Sequence, residues 1–122
     1  MEKPFVDPPA GDAPSELVII DLVEGDGAEA TKGSQVEVHY VGVSWSTGEQ
    51  FDASWDRGET FRFPLGAGHV IQGWDQGVQG MKVGGQRRLE IPAHLGYGDR
   101  GAPPVIRGGE TLIFIVDLLG VR

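Results

Sequence analysis

The chain contains no cysteine, which removes disulfides, thiolate zinc sites and cysteine nucleophiles together and leaves stability to packing. Positive charge is also scarce: 10 Lys and Arg stand against 18 Asp and Glu, for a net charge of -8. No basic run is present that could track a phosphate backbone, so nucleic acid and anionic membrane surfaces are excluded as partners. Long apolar runs are missing too. Nowhere do enough apolar residues follow one another to cross a bilayer, and Met1-Glu2-Lys3-Pro4 opens no apolar leader, which makes the cytoplasm the expected compartment.

Several chemistries lack their residues. His39, His69 and His94 are far apart, and none has a second ligand at metal-site spacing, so no metal is expected and each reads as a satisfied surface or strand histidine. Gly66-Ala67-Gly68 begins like a dinucleotide fingerprint, but Ile71 stands where the third glycine belongs and no parallel βαβ unit surrounds it. No cofactor is implied. The serines lack a Gly-x-Ser-x-Gly elbow, which leaves acyl transfer unsupported. Asp52, Asp56 and Glu59 could form an acid/base group; the plainer reading is a charged loop in which Arg57 pairs with Asp52.

What is present suits one domain: 122 residues, 39% hydrophobic and 23% charged, enough for a single core. Residues 1–16 hold four of the eight prolines, Pro4, Pro8, Pro9 and Pro14, together with several acids, and read as an extended tail rather than a packed element. The folded domain is expected over 17–122. Short β-type runs follow at 17–23, at 36–41 with Val36, Val38 and Tyr40 on one face, at 61–65 and at 88–91. The run Leu112-Ile113-Phe114-Ile115-Val116 is apolar throughout, as in a central strand buried on both faces. One segment has a different period. Ile71, Trp74, Val78 and Met81 recur at helical spacing, although Gly73 and Gly77 each cost such a helix about 1 kcal/mol relative to Ala. The fold class is therefore α+β, an antiparallel sheet curved around one short helix. No spare apolar stripe is visible, which points to a monomer.

Six aromatics stand outside any single core face: Tyr40, Phe51, Phe61, Trp74, Tyr97 and Phe114. Singly each is ordinary core material; their settings carry more. The blocks Val38-His39-Tyr40-Val41-Gly42, Phe51-Asp52-Ala53-Ser54-Trp55-Asp56-Arg57-Gly58 and Phe61-Arg62-Phe63-Pro64-Leu65-Gly66, followed by Val70-Ile71-Gln72-Gly73-Trp74-Asp75-Gln76-Gly77-Val78, Tyr97-Gly98 and Leu112-Ile113-Phe114, resemble the FKBP family of macrolide-binding peptidyl-prolyl isomerases in order and spacing. The resemblance spans residues 17–122 and is that of a bacterial single-domain form.

The resemblance implies a five- to six-stranded antiparallel half-barrel around one helix, and an enzyme that isomerises X-Pro bonds. Its partners would be proline-containing peptides, unfolded or partly folded proteins, and macrolides of the FK506 or rapamycin type. It also implies roles. Trp74 would form the pocket floor, and Tyr40, Phe51, Phe61, Val70, Ile71 and Phe114 the walls. The Ile71 N–H and the Tyr97 hydroxyl would meet the substrate, and Asp52, supported by Arg57, would orient the pocket. Val105 and Ile106 are expected at the rim. Arg107 stands where many relatives have proline, which makes the rim more basic. A binding module without useful catalysis is the alternative of a different class, and a purely structural β domain is a third.

Overall fold

The computed structural model describes residues 2–9 and 11–122; Met1 and Ala10, both within the expected tail, lie outside the described residues. Six strands form one sheet: β1 Val18–Val23, β2 Gln35–Ser44, β3 Gln50–Ala53, β4 Phe61–Pro64, β5 Gln86–Ile91 and β6 Leu112–Val121. Two short helices accompany them, α1 Ser54–Arg57 and α2 Gln72–Gly77, with a 3-10 turn at Ala93–Leu95. The strand order is β1-β5-β6-β2-β3, with β4 pairing the other end of β2, and every pairing is antiparallel.

Period-two alternation decides which face closes on the helix. Val36, Val38 and Tyr40 of β2 point inward, as do Phe63, Leu89, Ile91, Leu112, Phe114, Val116 and Leu118 from the other strands, and all join one core with Trp74, Val78 and Met81. The apolar run at 112–116 lies in the middle of the sheet, flanked by β5 and β2. It extends further than the apolar stretch alone indicates, because β6 continues through the buried Asp117 to Val121. The helix is shorter than its periodicity. It ends at Gly77, and Val78 and Met81 reach the core from the following turn. The strand β3 and helix α1 have no counterpart in the periodicity, since α1 is barely one turn and β3 carries a single large apolar residue, Phe51.

The two glycines that weaken α2 are explained by the neighbouring strand. A Cβ on Gly73 would stand 2.5 Å from Ile91 Cγ2, and one on Gly77 would stand 2.8 Å from Leu89 Cδ2. The helix backbone therefore rests directly on β5. Its lost propensity is offset by that close approach.

The N-terminal segment lies along the sheet's outer side. Lys3 Nζ meets Asp56 Oδ1 at 2.7 Å, and Arg88 Nη1 donates to the Asp7 carbonyl at 3.0 Å. Between these ties, Lys3, Pro4, Phe5 and Val6 share a hollow with Val41 and Val43, the outward residues of β2.

Gly73→Ala separates helix propensity from packing. Propensity alone predicts a gain of about 1 kcal/mol; the contact with Ile91 predicts a loss of about 1–3 kcal/mol from overpacking. Urea denaturation of the variant, at unchanged m-value, is expected to give the loss.

Candidate active site

A cavity of about 460 Å³ opens between the helix and the inner face of the sheet. Trp74 comes from α2, Tyr40 from β2, Phe51 and Asp52 from β3, Phe61 from β4 and Phe114 from β6, while Gly68, His69, Val70 and Ile71 line it from the loop before α2 and Tyr97 from the segment after the 3-10 turn. Four rings pack on the Trp74 indole: Tyr40, Phe61, Phe63 and Phe114, with centroids at 4.9, 6.0, 5.6 and 5.2 Å. Tyr40 and Phe114 stand nearly perpendicular to it, at 84° and 90°. Edge-to-face contact of this kind sets positive ring edges against negative faces and fixes orientation as well as position.

The cavity also needs a missing side chain. The inward series Val36, Val38, Tyr40 on β2 continues to Gly42, and a Cβ there would come within 2.6 Å of Phe114 Cε1 and 2.7 Å of Phe51 Cζ. Those two rings, 5.4 Å apart and at 87°, occupy the space that a side chain at 42 would fill.

One rim is polar. Tyr40 Oη donates to Asp52 Oδ2 at 2.6 Å, Arg57 Nη2 donates to Tyr40 Oη at 2.9 Å, and Arg57 Nη1 donates to Asp52 Oδ1. The guanidinium carbon also lies 5.6 Å from the Tyr40 ring centroid. Arg57 and Asp52 are both substantially exposed, so the ion pair adds little stability and matters chiefly as geometry. Burial, reinforced by the bond to Asp52, pushes the Tyr40 hydroxyl above the ordinary value of 10.0, and the bond from Arg57 opposes it. The bonds to Tyr40 and then Asp52 raise Arg57 further above its already high value. Burial, followed by the Asp52 charge, likewise raises Tyr97.

Beneath this rim, Ser54 is fully buried at the start of α1. Its Oγ accepts from the Tyr40 N–H at 2.7 Å and lies 2.8 Å from His39 Nδ1. His39 in turn stacks on Trp55 at 4.1 Å, so it is a satisfied strand histidine. The acids of this region are engaged in pairs. Asp52 binds Arg57 and Tyr40, and Asp56 binds Lys3 and Gln50, as the charged-loop reading holds.

Across the cavity, the Asp75 carboxylate accepts from the Gly66 N–H at 2.8 Å and the Gly68 N–H at 2.9 Å, tying down the loop that carries Val70 and Ile71. An acid in the first turn of a helix, just after a Gly-x-Gly loop, is the signal that could have found this role. The Ile71 carbonyl accepts from Trp74 and Asp75 at the start of α2, whereas its N–H makes no hydrogen bond among the described residues.

The residues named from sequence are thus mostly gathered at one place. Tyr40, Phe51, Asp52, Phe61, Val70, Ile71, Trp74, Tyr97 and Phe114 line the cavity, and Arg57 acts from behind its rim. The rim pair is arranged differently. Val105 is 60% exposed and borders a separate hollow beyond Phe51, while Ile106 is buried in the core. The reason is the tight turn closed by paired backbone bonds between Ala102 and Ile106, whose two ends pack toward the core while Val105 turns outward. Gly42, Ser54, Gly68, His69 and Asp75 belong to the site without having been singled out for it.

A profile of the FKBP-type peptidyl-prolyl cis-trans isomerases matches residues 27–119. The chain belongs to this family. An FK506-binding protein of Streptomyces anulatus is 64% identical over 122 residues, covering 99% of this chain and 98% of the relative. A probable FK506-binding protein of Corynebacterium glutamicum is 54% identical over 119 residues, covering 98% of both. Among solved structures, AtFKBP13 is similar with a TM-score of 0.82 at 40% identity, covering 90% of this chain and 96% of that one. The sheet and helix are accordingly those of an FKBP-type isomerase.

Gly42→Ala tests the origin of the cavity in this FKBP. Either Phe51 or Phe114 must move, so thermal unfolding is expected to show a loss of about 1–3 kcal/mol. Isomerase KM for a Leu-Pro peptide is expected to rise in the same variant. An unchanged KM in a folded variant would mean that the two rings do not shape the binding surface.

Proposed function

We propose that this FKBP accelerates rotation about X-Pro bonds in peptides and unfolded or partly folded proteins by stabilising the twisted amide non-covalently, and that the same cavity takes a macrolide such as FK506. The observation that carries the reading is an apolar cavity floored by Trp74 with a fixed Tyr40–Asp52–Arg57 rim.

The physics starts from the bond. Partial double-bond character gives the amide its planarity and a rotation barrier of about 20 kcal/mol. Twisting destroys that resonance, leaving a less polar carbonyl and a pyramidal, more basic nitrogen. An aromatic enclosure that strips water from the amide therefore penalises the planar form more than the twisted one. Trp74 and Phe114 would hold the proline ring while the preceding residue rotates. The Ile71 N–H, without an acceptor among the described residues, would meet a substrate carbonyl, and Tyr97, which lines the cavity, would donate its hydroxyl to another. Asp52, with its two oxygens held by Tyr40 and Arg57, presents a carboxylate of fixed orientation. Each differential gain of about 1.4 kcal/mol multiplies the rate tenfold. No proton has to change hands.

Support for the substrate comes from the peptidyl-prolyl isomerase family that the chain matches, and for the macrolide from relatives named for FK506 binding. The proposal carries the expectation of a cytoplasmic monomer, which cell fractionation and sedimentation check. Exchange NMR of a Leu-Pro peptide, with no coupled protease, is the direct test. Acceleration abolished by FK506 supports the enzyme; FK506 binding without acceleration would make this chain a binding module.

Asp52→Ala removes the acceptor shared by Tyr40 and Arg57 and is expected to lower kcat/KM about tenfold, the equivalent of one charge-assisted hydrogen bond. Full activity in the folded variant would sink the role given to Asp52.

The pH profile separates this mechanism from acid/base catalysis. Tyr40 and Tyr97 are both raised above 10.0. Their neutral hydroxyls, and the stability linked to them, are therefore fully present below the ordinary tyrosine value and lost as pH climbs through the raised ones. Activity should be flat from about pH 7.5 to about pH 9. A bell-shaped profile within that window would argue for proton transfer.

A further inference from the structure

The strand β1 leaves its apolar side chains in solvent. Among the described residues seven large hydrophobics are exposed, and four of them, Ile19, Ile20, Leu22 and Val23, lie on this one strand, 40–51% exposed. Alternation sends Ile19 and Ile20 to opposite faces, so neither face of the strand is packed away. The strand also ends the sheet. It pairs only with β5, and its other edge has no strand partner among the described residues.

An open, six-residue, aliphatic edge is what soluble proteins avoid, because its unpaired N–H and C=O groups invite another strand. Here the charge around it selects which one. Residues 11–30 carry Asp12, Glu16, Asp21, Glu24, Asp26 and Glu29 and no Lys, Arg or His. Asp21 is already bound to Arg87 at 2.7 Å. The remaining acids flank the strand on both sides. Lys82 and Arg87 stand in the hollow beside its C-terminal end, where Val23 and Glu24 form part of the wall. A second copy of this chain would bring the same acids and the same net charge of -8 against the first, which disfavours self-pairing.

We propose that the free edge of β1 is a docking strand for an extended, aliphatic, Lys- or Arg-flanked segment of an unfolded client, added as a seventh strand. Backbone bonds would supply affinity, and the flanking acids would select basic neighbours. This deepens the isomerase reading and rests on it. β1 lies at the opposite end of the sheet from β3, which supplies Phe51 and Asp52 to the cavity. A client held at one edge would present its X-Pro bonds to the cavity at raised effective concentration.

The test is an NMR titration of the labelled full chain with a short proline-free peptide of alternating valine and threonine flanked by lysines, and with its glutamate-flanked counterpart. The lysine peptide should shift the amides of residues 18–23 and protect them from exchange. The glutamate peptide should bind about tenfold more weakly, the sum of several exposed charge pairs. Ile20→Lys with Leu22→Lys should abolish binding while leaving isomerisation of a short Leu-Pro peptide unchanged, since neither residue lines the cavity. Equal binding of the two peptides, shifts at Tyr40 and Trp74 in place of β1, or self-association that Leu22→Lys breaks would each overturn the proposal. Short-peptide isomerisation by the unaltered chain is read separately: its absence would remove the catalytic reading and leave the titration intact.

Discussion

Trp74 is the point at which helix and sheet are held together, and the rest of the site takes its positions from that contact. Four rings from three strands pack on the indole, while Gly73 and Gly77 on either side of it let the helix backbone settle on β5. A buried tryptophan in such surroundings commonly contributes about 3–5 kcal/mol when replaced by alanine. The same packing leaves Trp74 Nε1 buried without an acceptor among the described residues, a cost accepted for an apolar floor.

The polar rim is built outward from this floor by a short local sequence. Phe51 and Asp52 lie on β3, and Ser54 and Arg57 lie at the two ends of α1. Seven residues thus deliver a ring, a carboxylate, a buried hydroxyl and a guanidinium to the same neighbourhood. Ser54 binds the backbone of Tyr40, and Arg57 binds its hydroxyl. Tyr40 is therefore fixed at both ends, which holds the hydroxyl bonded to Asp52 in a single orientation.

Much of this was legible in the residues. Alternation at 36–41, 61–65 and 88–91 located strands, and the spacing of Trp74, Val78 and Met81 identified the residues the helix region buries. The pocket residues, by contrast, were legible only through resemblance, because aromatics scattered over the chain carry no period that brings them together. What escaped was of three physical kinds. α1 is barely one turn and β3 carries a single large apolar residue, Phe51, so neither shows a period. Gly42 acts by what it lacks, and Asp75 acts through backbone N–H groups of a loop dismissed as a failed nucleotide motif. β1 was legible as a strand at 17–23, but its place was not, because a run apolar on both faces carries no mark of the sheet edge where it lies.

The order of the strands has a consequence for how the chain comes into being. β6, near the end of the described sequence, sits between β5 and β2 and pairs with both along its length. During synthesis β2 can pair with β3 and β4, and β1 with β5, but nothing joins these two groups before β6. The inner face of β2, including Tyr40, lacks its contact with Phe114 until residues 112–121 arrive. Contacts so distant in sequence make folding slow relative to local structure. A protein of the proline-isomerase class must thus itself wait for residues 112–121 before its cavity closes around Trp74.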